Sequence, residues 1–91
     1  MKHITHHAYA RLRQRAIPPI VLDWLIAYGS RASAGKGFEC IFLDKKGRRR
    51  LQHDLGAWAY ARLEPKFDAY AIVADDGAIV TTGYRTRRIN R

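Results

Sequence analysis

Residues 70–85, Tyr-Ala-Ile-Val-Ala-Asp-Asp-Gly-Ala-Ile-Val-Thr-Thr-Gly-Tyr-Arg, decide the fold. Two runs rich in β-branched and aromatic residues, 70–74 and 78–85, flank Asp75-Asp76-Gly77. An Asp-Gly pair between such runs is typical of a hairpin turn, because the glycine accepts the positive φ that tight turns require. The sequence therefore predicts a β-hairpin that closes an antiparallel sheet.

The N-terminal part of the chain reads as two helices. Thr5 can cap a helix over 6–16, in which Ala8 and Leu12 form an apolar stripe. Pro18 and Pro19 suit the start of a second helix, since their missing N–H groups are harmless there, and Gly29 is a natural end. Apolar residues at spacings of three and four predict that this helix supplies the largest share of the core: Ile20, Val21, Trp24, Leu25 and Tyr28.

The middle of the chain is less regular. Its glycines predict a loop over 30–37, and a β-rich run over 38–43 follows. Asp44 can cap a helix that breaks at Gly56 and ends before Pro65, although 48–55 could instead form a strand beside 38–43. The predicted class is α+β: two N-terminal helices packed on a small antiparallel sheet that ends in a hairpin, with a helical insert over 45–67.

Length and composition limit the classes of protein. The chain has 91 residues, 17 Lys and Arg against 8 Asp and Glu, and 47% apolar residues, which predicts one domain over 1–91. Cys40 is the only cysteine, so an internal disulfide is excluded. No apolar run reaches the ~20 residues of a bilayer span and no signal peptide is visible, so we expect a cytoplasmic protein without a membrane partner. Cys40, Trp24 and Trp58 are predicted to be core residues.

The positive charge is concentrated in three blocks, 2–15, 45–50 and 85–91. The chain has 12 arginines and 5 lysines, a bias that favours phosphate because the guanidinium fork matches phosphate oxygens. The charge predicts a nucleic acid or an acidic protein that mimics it, although a merely solvated surface has the same composition. The candidate nucleic-acid-binding residues are Lys2, Arg13, Lys45, Lys46, Arg48, Arg49, Arg50, Arg87, Arg88 and Arg91.

His7, Arg11 and Arg15 fall at i, i+4 and i+8 and would share one helix face. A histidine beside two arginines is suited to metal-independent RNA cleavage, with the imidazole moving protons and the guanidiniums holding the phosphodiester. The same spacing also fits phosphate docking or a solvated face.

Other polar groups are weaker candidates. Tyr84 precedes the basic tail and can stack a base or donate to phosphate. Adjacent His53 and Asp54 are expected to diverge and to take no part in catalysis. We expect no metal site and no cofactor.

Two segments carry a resemblance to a known family. Residues 5–17, Thr-His-His-Ala-Tyr-Ala-Arg-Leu-Arg-Gln-Arg-Ala-Ile, resemble the N-terminal signature of the bacterial family catalogued as domain of unknown function 4258. Residues 80–85, Val-Thr-Thr-Gly-Tyr-Arg, resemble its closing strand. The chain departs from the pattern in its longer insert over 45–67 and in Ala16, where the family often has glycine.

The resemblance extends to the RelE and BrnT toxins of toxin–antitoxin pairs, and it implies a RelE-like fold, metal-independent RNA cleavage and a cleft on the exposed sheet face. RNA, free or on the ribosome, and an acidic antitoxin are the implied partners. Carried over by position, the implied catalytic residues are His7, Arg11, Arg15, Tyr84 and Arg85, with Lys2, Arg87 and Arg88 positioning phosphate. The sequence therefore predicts a small RNA-binding protein of the endoribonuclease toxin type. The alternatives are a non-catalytic nucleic-acid-binding module and an accessory protein-interaction domain.

Overall fold

The computed structural model describes residues 3–85 of the chain. In this range the elements are α1 (His6–Gln14), α2 (Pro19–Tyr28), β1 (Ser30–Gly35), β2 (Phe38–Phe42), α3 (Lys45–Leu55), α4 (Ala57–Leu63), a 3-10 helix (Glu64–Asp68), β3 (Ala69–Ala74) and β4 (Ile79–Tyr84). The strands form one antiparallel sheet in the order β1-β2-β3-β4. The predicted α+β class, with N-terminal helices and a closing hairpin, is confirmed.

The helices pack on one face of the sheet. Along β3 the side chains alternate, and Ala69, Ala71 and Val73 are buried against Ile41 of β2 and the helices. The other face carries Cys40, Tyr70 and Ile72, which are partly exposed. We call this second face the open face.

The hairpin forms where the sequence predicts it. The amide of Ala78 donates to the Asp76 carboxylate at 2.9 Å, and Gly77 adopts a φ of 89°. A register shift opposite Ile72 and Val73 leaves one extra residue in β4, a bulge that bends the strand locally. The Asp-Gly turn therefore forms the β-hairpin that the sequence predicts.

The prediction of a loop over 30–37 is wrong, because 30–35 is the edge strand β1. Its alanines and glycine have low β propensity, but backbone pairing with β2 overrides this local preference. Only Lys36 and Gly37 remain as the turn, both at positive φ. The first helix is also shorter than predicted: it ends at Gln14, and Ala16 has a φ of 53° that turns the chain toward buried Ile17.

The insert is helical, and the alternative of a strand over 48–55 is wrong. Asp44 caps α3 by accepting from the amide of Gly47 at 2.8 Å. The insert reaches the core through Leu51, Tyr60 and Phe67. The ring of Phe67 contacts the ring of Tyr60 with centroids 5.0 Å apart, so the insert is packed as part of the domain.

Some predicted core positions are corrected. On α2, Leu22 is buried and Ile20 is exposed, because the helix is apolar on nearly all sides and its spacing alone does not select the inner face. Trp58 is 74% exposed, and Tyr60 takes the core position of α4 instead. Cys40 lies on the open face and is partly exposed, outside the core.

No helix within residues 3–85 has the length and apolar character that a membrane crossing requires.

Candidate nucleic-acid interface

Three basic segments that are distant in sequence meet at one end of the sheet. β1 and β3 begin there and β2 and β4 end there, since all the strand pairs are antiparallel. α1 runs alongside β4: the amide of Thr5 donates to the carbonyl of Ile79, and the hydroxyl of Tyr84 donates to the carbonyl of Ala16 at 3.4 Å. α3 starts directly after β2. We call this region the basic end, and its described cations are Arg15, Lys45, Lys46, Arg48, Arg49, Lys66 and Arg85.

Two arginines of the basic end are held by backbone carbonyls. Arg48 donates from Nε to the Leu43 carbonyl at 3.3 Å, and from Nη2 to the Phe67 carbonyl at 2.9 Å and the Asp68 carboxylate at 2.7 Å. Arg85 donates from Nη2 to the same Leu43 carbonyl at 3.0 Å. These contacts tie α3, β2 and β4 together, so both arginines have a structural role.

Arg85 projects onto the open face. Its guanidinium lies 5.4 Å from the centroid of Phe42, a residue that pairs with Tyr70 on that face. Burial, and then the neighbouring Arg48 guanidinium, lower the pKa of Arg85 below its ordinary value. The Arg85 guanidinium is therefore partly removed from water and already donates to a protein carbonyl.

Lys45, Lys46 and Arg49 are the exposed cations of the basic end on α3. The first turn of α3 contains no acidic residue, although the partial positive charge of a helix N-terminus favours anions there. The Asp44 carboxylate that caps α3 offsets part of the repulsion between these cations and the helix N-terminus. Placing lysines at this position costs helix stability and concentrates positive potential, an arrangement suited to an external anion.

Lys66 joins the site without having been predicted from the sequence. Its ammonium donates to the Ala16 carbonyl at 3.2 Å and lies 5.9 Å from the centroid of the Tyr84 ring. Tyr84 donates to the same carbonyl. Lys66 belongs to none of the three basic blocks, so only tertiary packing reveals its place.

The structure does not bring the predicted catalytic set together. His7 is an exposed residue near the start of α1, at the turn end of β4, whereas Arg85 follows the opposite end of that strand. Six strand residues span about 20 Å, and Arg85 also faces the open side of the sheet, away from α1. Arg15 directly precedes Ala16, whose carbonyl Tyr84 contacts. Arg11 is partly buried and lies on α1 between His7 and Arg15.

The other predicted residues are dispersed. Arg13 is exposed on α1, and Arg50 lies with its guanidinium 5.8 Å from the ring centroid of Tyr28. The predicted positions Lys2, Arg87, Arg88 and Arg91 lie outside the described residues.

A second polar group joins the end of α2 to α3. The hydroxyl of Tyr28 donates to Oδ2 of Asp54 at 2.5 Å, and Nδ1 of His53 lies 3.3 Å from Oδ1 of the same carboxylate. The expectation that His53 and Asp54 diverge is wrong, because Tyr28 draws the carboxylate to one side and the adjacent imidazole reaches its other oxygen. The Tyr28 hydrogen bond, and then His53, lower the pKa of Asp54, and Asp54 raises the pKa of Tyr28.

Comparison of the chain with models of known protein families, with curated protein sequences and with solved structures found no match. The resemblance of residues 5–17 and 80–85 to a family therefore stays a prediction.

Proposed function

We propose that this protein binds single-stranded RNA and holds its phosphates at the basic end. The observation that carries the proposal is the convergence of the C-terminus of α1, the start of α3 and the end of β4 at one end of the sheet. Basic side chains grouped on one surface are the electrostatic requirement for nucleic-acid binding, since each phosphate contact releases counterions.

The exposed α3 residues Lys45, Lys46 and Arg49 are the phosphate ligands in this proposal. They have exposed side chains, whereas Arg48 and Arg85 already donate to protein carbonyls. Arg48 and Arg85 fix the framework and contribute their charge at longer range.

The choice of a single strand follows from the aromatic rings around the cations. Tyr84 lies beside Lys66, and Tyr70 lies on the open face, where it pairs with Phe42, the ring that Arg85 covers; both tyrosines are partly exposed. Rings that reach the surface beside cations can stack unpaired bases, which a duplex does not offer. RNA, as opposed to DNA, comes from the resemblance to RNA-cutting toxins.

The more specific proposal is a metal-independent endoribonuclease of the toxin–antitoxin type. Its partner would be an acidic protein segment that covers the basic end, since complementary charge guides such association. The support is the positive surface together with the resemblance of residues 5–17 and 80–85. A non-catalytic RNA-binding module is the alternative, and the two differ in whether bound RNA is cut.

A matched pair of substitutions tests RNA binding at the basic end. Lys46→Gln removes an exposed cation of the basic end, and Lys36→Gln removes one from the β1–β2 turn at the other end of the sheet. Binding of a fluorescent single-stranded RNA is followed by anisotropy across a salt series. We expect Lys46→Gln to reduce the slope of log K against log salt by about 0.7, and Lys36→Gln to leave it unchanged.

The combined change of Lys45, Lys46 and Arg49 to Gln extends the test. We expect the slope of log K against log salt to fall by roughly 2, because each substitution removes one phosphate contact. The fold should be retained, because these side chains are exposed. RNA binding that is insensitive to salt, or that Lys36→Gln weakens as much as Lys46→Gln, would show that the basic end is not the interface.

A further inference from the structure

The Asp54 carboxylate has both oxygens occupied by neighbouring side chains. Tyr28 donates to Oδ2 from the last residue of α2, and Nδ1 of His53 contacts Oδ1. A carboxylate acceptor at Nδ1 selects the tautomer with its proton on that nitrogen. Nε2 of His53 then carries the free lone pair.

This imidazole is open to a substrate. The side chain of His53 is 89% exposed, so Nε2 is accessible to a large ligand such as an RNA strand. A histidine oriented by a carboxylate is a typical general base, because its proton affinity suits reactions near neutral pH.

Two arginines lie one helical turn before this base. Arg49 and Arg50 precede His53 by four and three residues on α3, and side chains at these spacings share one helix face. The guanidinium of Arg50 lies over the ring of Tyr28, so the groups that orient His53 also restrain a cation beside it.

We propose that His53 is the general base of a metal-independent RNA cleavage site, in which Arg49 and Arg50 hold the scissile phosphate. The inference rests on the proposed RNA binding, and the α3 cations connect the two sites because Arg49 belongs to both. It places the chemistry on α3, away from the histidine at the start of α1 that the sequence indicates.

The reaction is an internal transfer at phosphorus. Nε2 of His53 takes the proton of a ribose 2′-hydroxyl, and the 2′-oxygen forms a bond to the adjacent phosphorus. The bond from phosphorus to the 5′-oxygen breaks, and the departing oxygen takes a proton from water. The products are a 2′,3′-cyclic phosphate and a 5′-hydroxyl, and the imidazolium returns its proton to solvent. The arginines stabilise the additional negative charge of the transition state.

Asp54 and Tyr28 are positioning residues in this scheme, since they act through the imidazole. The groups around the Asp54 carboxylate are His53 and Arg50 on α3 and the Tyr28 hydroxyl on α2. Replacing Asp54 with Asn weakens the acceptor at Nδ1 that orients the imidazole. The kcat of Asp54→Asn should then fall while its KM for RNA is little changed, because the carboxylate orients the imidazole and does not touch the RNA.

The test incubates the full chain with mixed-sequence single-stranded RNA in EDTA and identifies the fragment ends. We expect 2′,3′-cyclic phosphate ends from the unchanged protein. His53→Ala and His53→Gln should each slow cleavage by at least about 100-fold while keeping RNA affinity and the circular dichroism spectrum. His6→Ala, which removes an exposed histidine of α1, is the matched control and should cut at the original rate.

Each outcome decides the inference. Cleavage that survives in His53→Ala and is lost in His7→Ala would return the base to α1 and overturn it. RNA that binds tightly without being cut would overturn it while leaving the proposed RNA binding intact. A protein that neither binds nor cuts RNA would overturn both.

Discussion

Arg48 and Arg85 donate to the same oxygen, the carbonyl of Leu43, at 3.3 and 3.0 Å. One arginine comes from α3 and the other follows β4, so the shared acceptor joins the insert to the closing strand at the end of β2. Asp68 pairs with Arg48 at 2.7 Å and supplies a negative charge beside both guanidiniums. Two of the basic segments meet because of these contacts, and the positive potential of the basic end is therefore a consequence of how the fold is closed.

Arg85→Ala is expected to destabilise the protein as well as to change its ligand binding. The substitution removes a charged donor from the Leu43 carbonyl and the cation that lies over Phe42. Loss of a hydrogen bond to a charged group costs about 1.5–3 kcal/mol. Urea unfolding should show a decrease of this size.

Arg13→Ala is the control, because Arg13 is exposed on α1 and its loss should change the free energy of unfolding by less than about 0.5 kcal/mol. Equal stability of the two variants would mean that Arg85 contributes nothing to the framework. A loss of RNA binding or cleavage in Arg85→Ala must therefore be compared with its loss of folding stability before it is assigned to a contact with RNA.

Local sequence signals predict the fold where the residues of a segment are suited to only one local structure. Asp75-Asp76-Gly77 fits a hairpin turn, and Asp44 fits a helix cap, and both form as predicted. The signals fail for β1, whose residues become a strand only through pairing with β2. The prediction that Trp58 is a core residue fails for a similar reason. α4 has two aromatic residues, and three-dimensional packing places Tyr60 in the core.

Gly47→Ala is expected to reverse the usual effect of replacing a glycine in a helix. In an open helix the change stabilises by about 0.5–1 kcal/mol. Here a Cβ at Gly47 would lie 2.4 Å from the carbonyl oxygen of Tyr28, so α2 and α3 would have to separate. We expect a loss of about 1–3 kcal/mol in urea unfolding.

The matched substitution Gln52→Ala, at an exposed position of the same helix, should be neutral within about 0.5 kcal/mol. A stabilised Gly47→Ala variant would show that α2 and α3 do not approach closely at this glycine.

Thr82→Val is expected to stabilise the protein. Thr82 is 2% exposed on the inner face of β4, and its hydroxyl has no hydrogen-bond partner among residues 3–85. An unsatisfied buried polar atom costs about 1–3 kcal/mol, and valine has nearly the same shape. We expect a gain of about 1 kcal/mol by thermal or urea unfolding.

Thr81→Val tests whether this gain comes from burial. Thr81 pairs with Ile72 on the open face and is partly exposed, so its hydroxyl can reach water and the change should be smaller. A destabilised Thr82→Val variant would indicate that the Thr82 hydroxyl has a partner after all.

The candidate site is less predictable from the sequence than the fold. The three basic blocks are visible in the sequence, but their convergence depends on α1 running alongside β4 and on the carbonyls that hold Arg48 and Arg85. Lys66 is isolated in sequence, and its contact with the Ala16 carbonyl is purely tertiary. The group of Tyr28, His53 and Asp54 likewise needs the packing of α2 on α3, because neighbouring residues on a helix ordinarily point in different directions.

Tyr28→Phe is expected to raise the pKa of Asp54 toward its ordinary value of 3.8, because the Tyr28 hydroxyl is the largest cause of its lowering. A carboxyl with a lowered folded-state pKa contributes stability that is present above its unfolded pKa and is lost as the pH falls through the folded value. The unchanged protein should therefore lose this contribution below 3.8, and Tyr28→Phe should lose less of it. Carboxyl-carbon NMR titration of Asp54 measures the pKa directly, and urea unfolding at about pH 6 and about pH 2.5 measures the linked stability. Tyr9→Phe, which changes an exposed tyrosine on α1, should leave both quantities unaltered. An Asp54 pKa that is the same in all three proteins would mean that the Tyr28 hydrogen bond does not persist in solution.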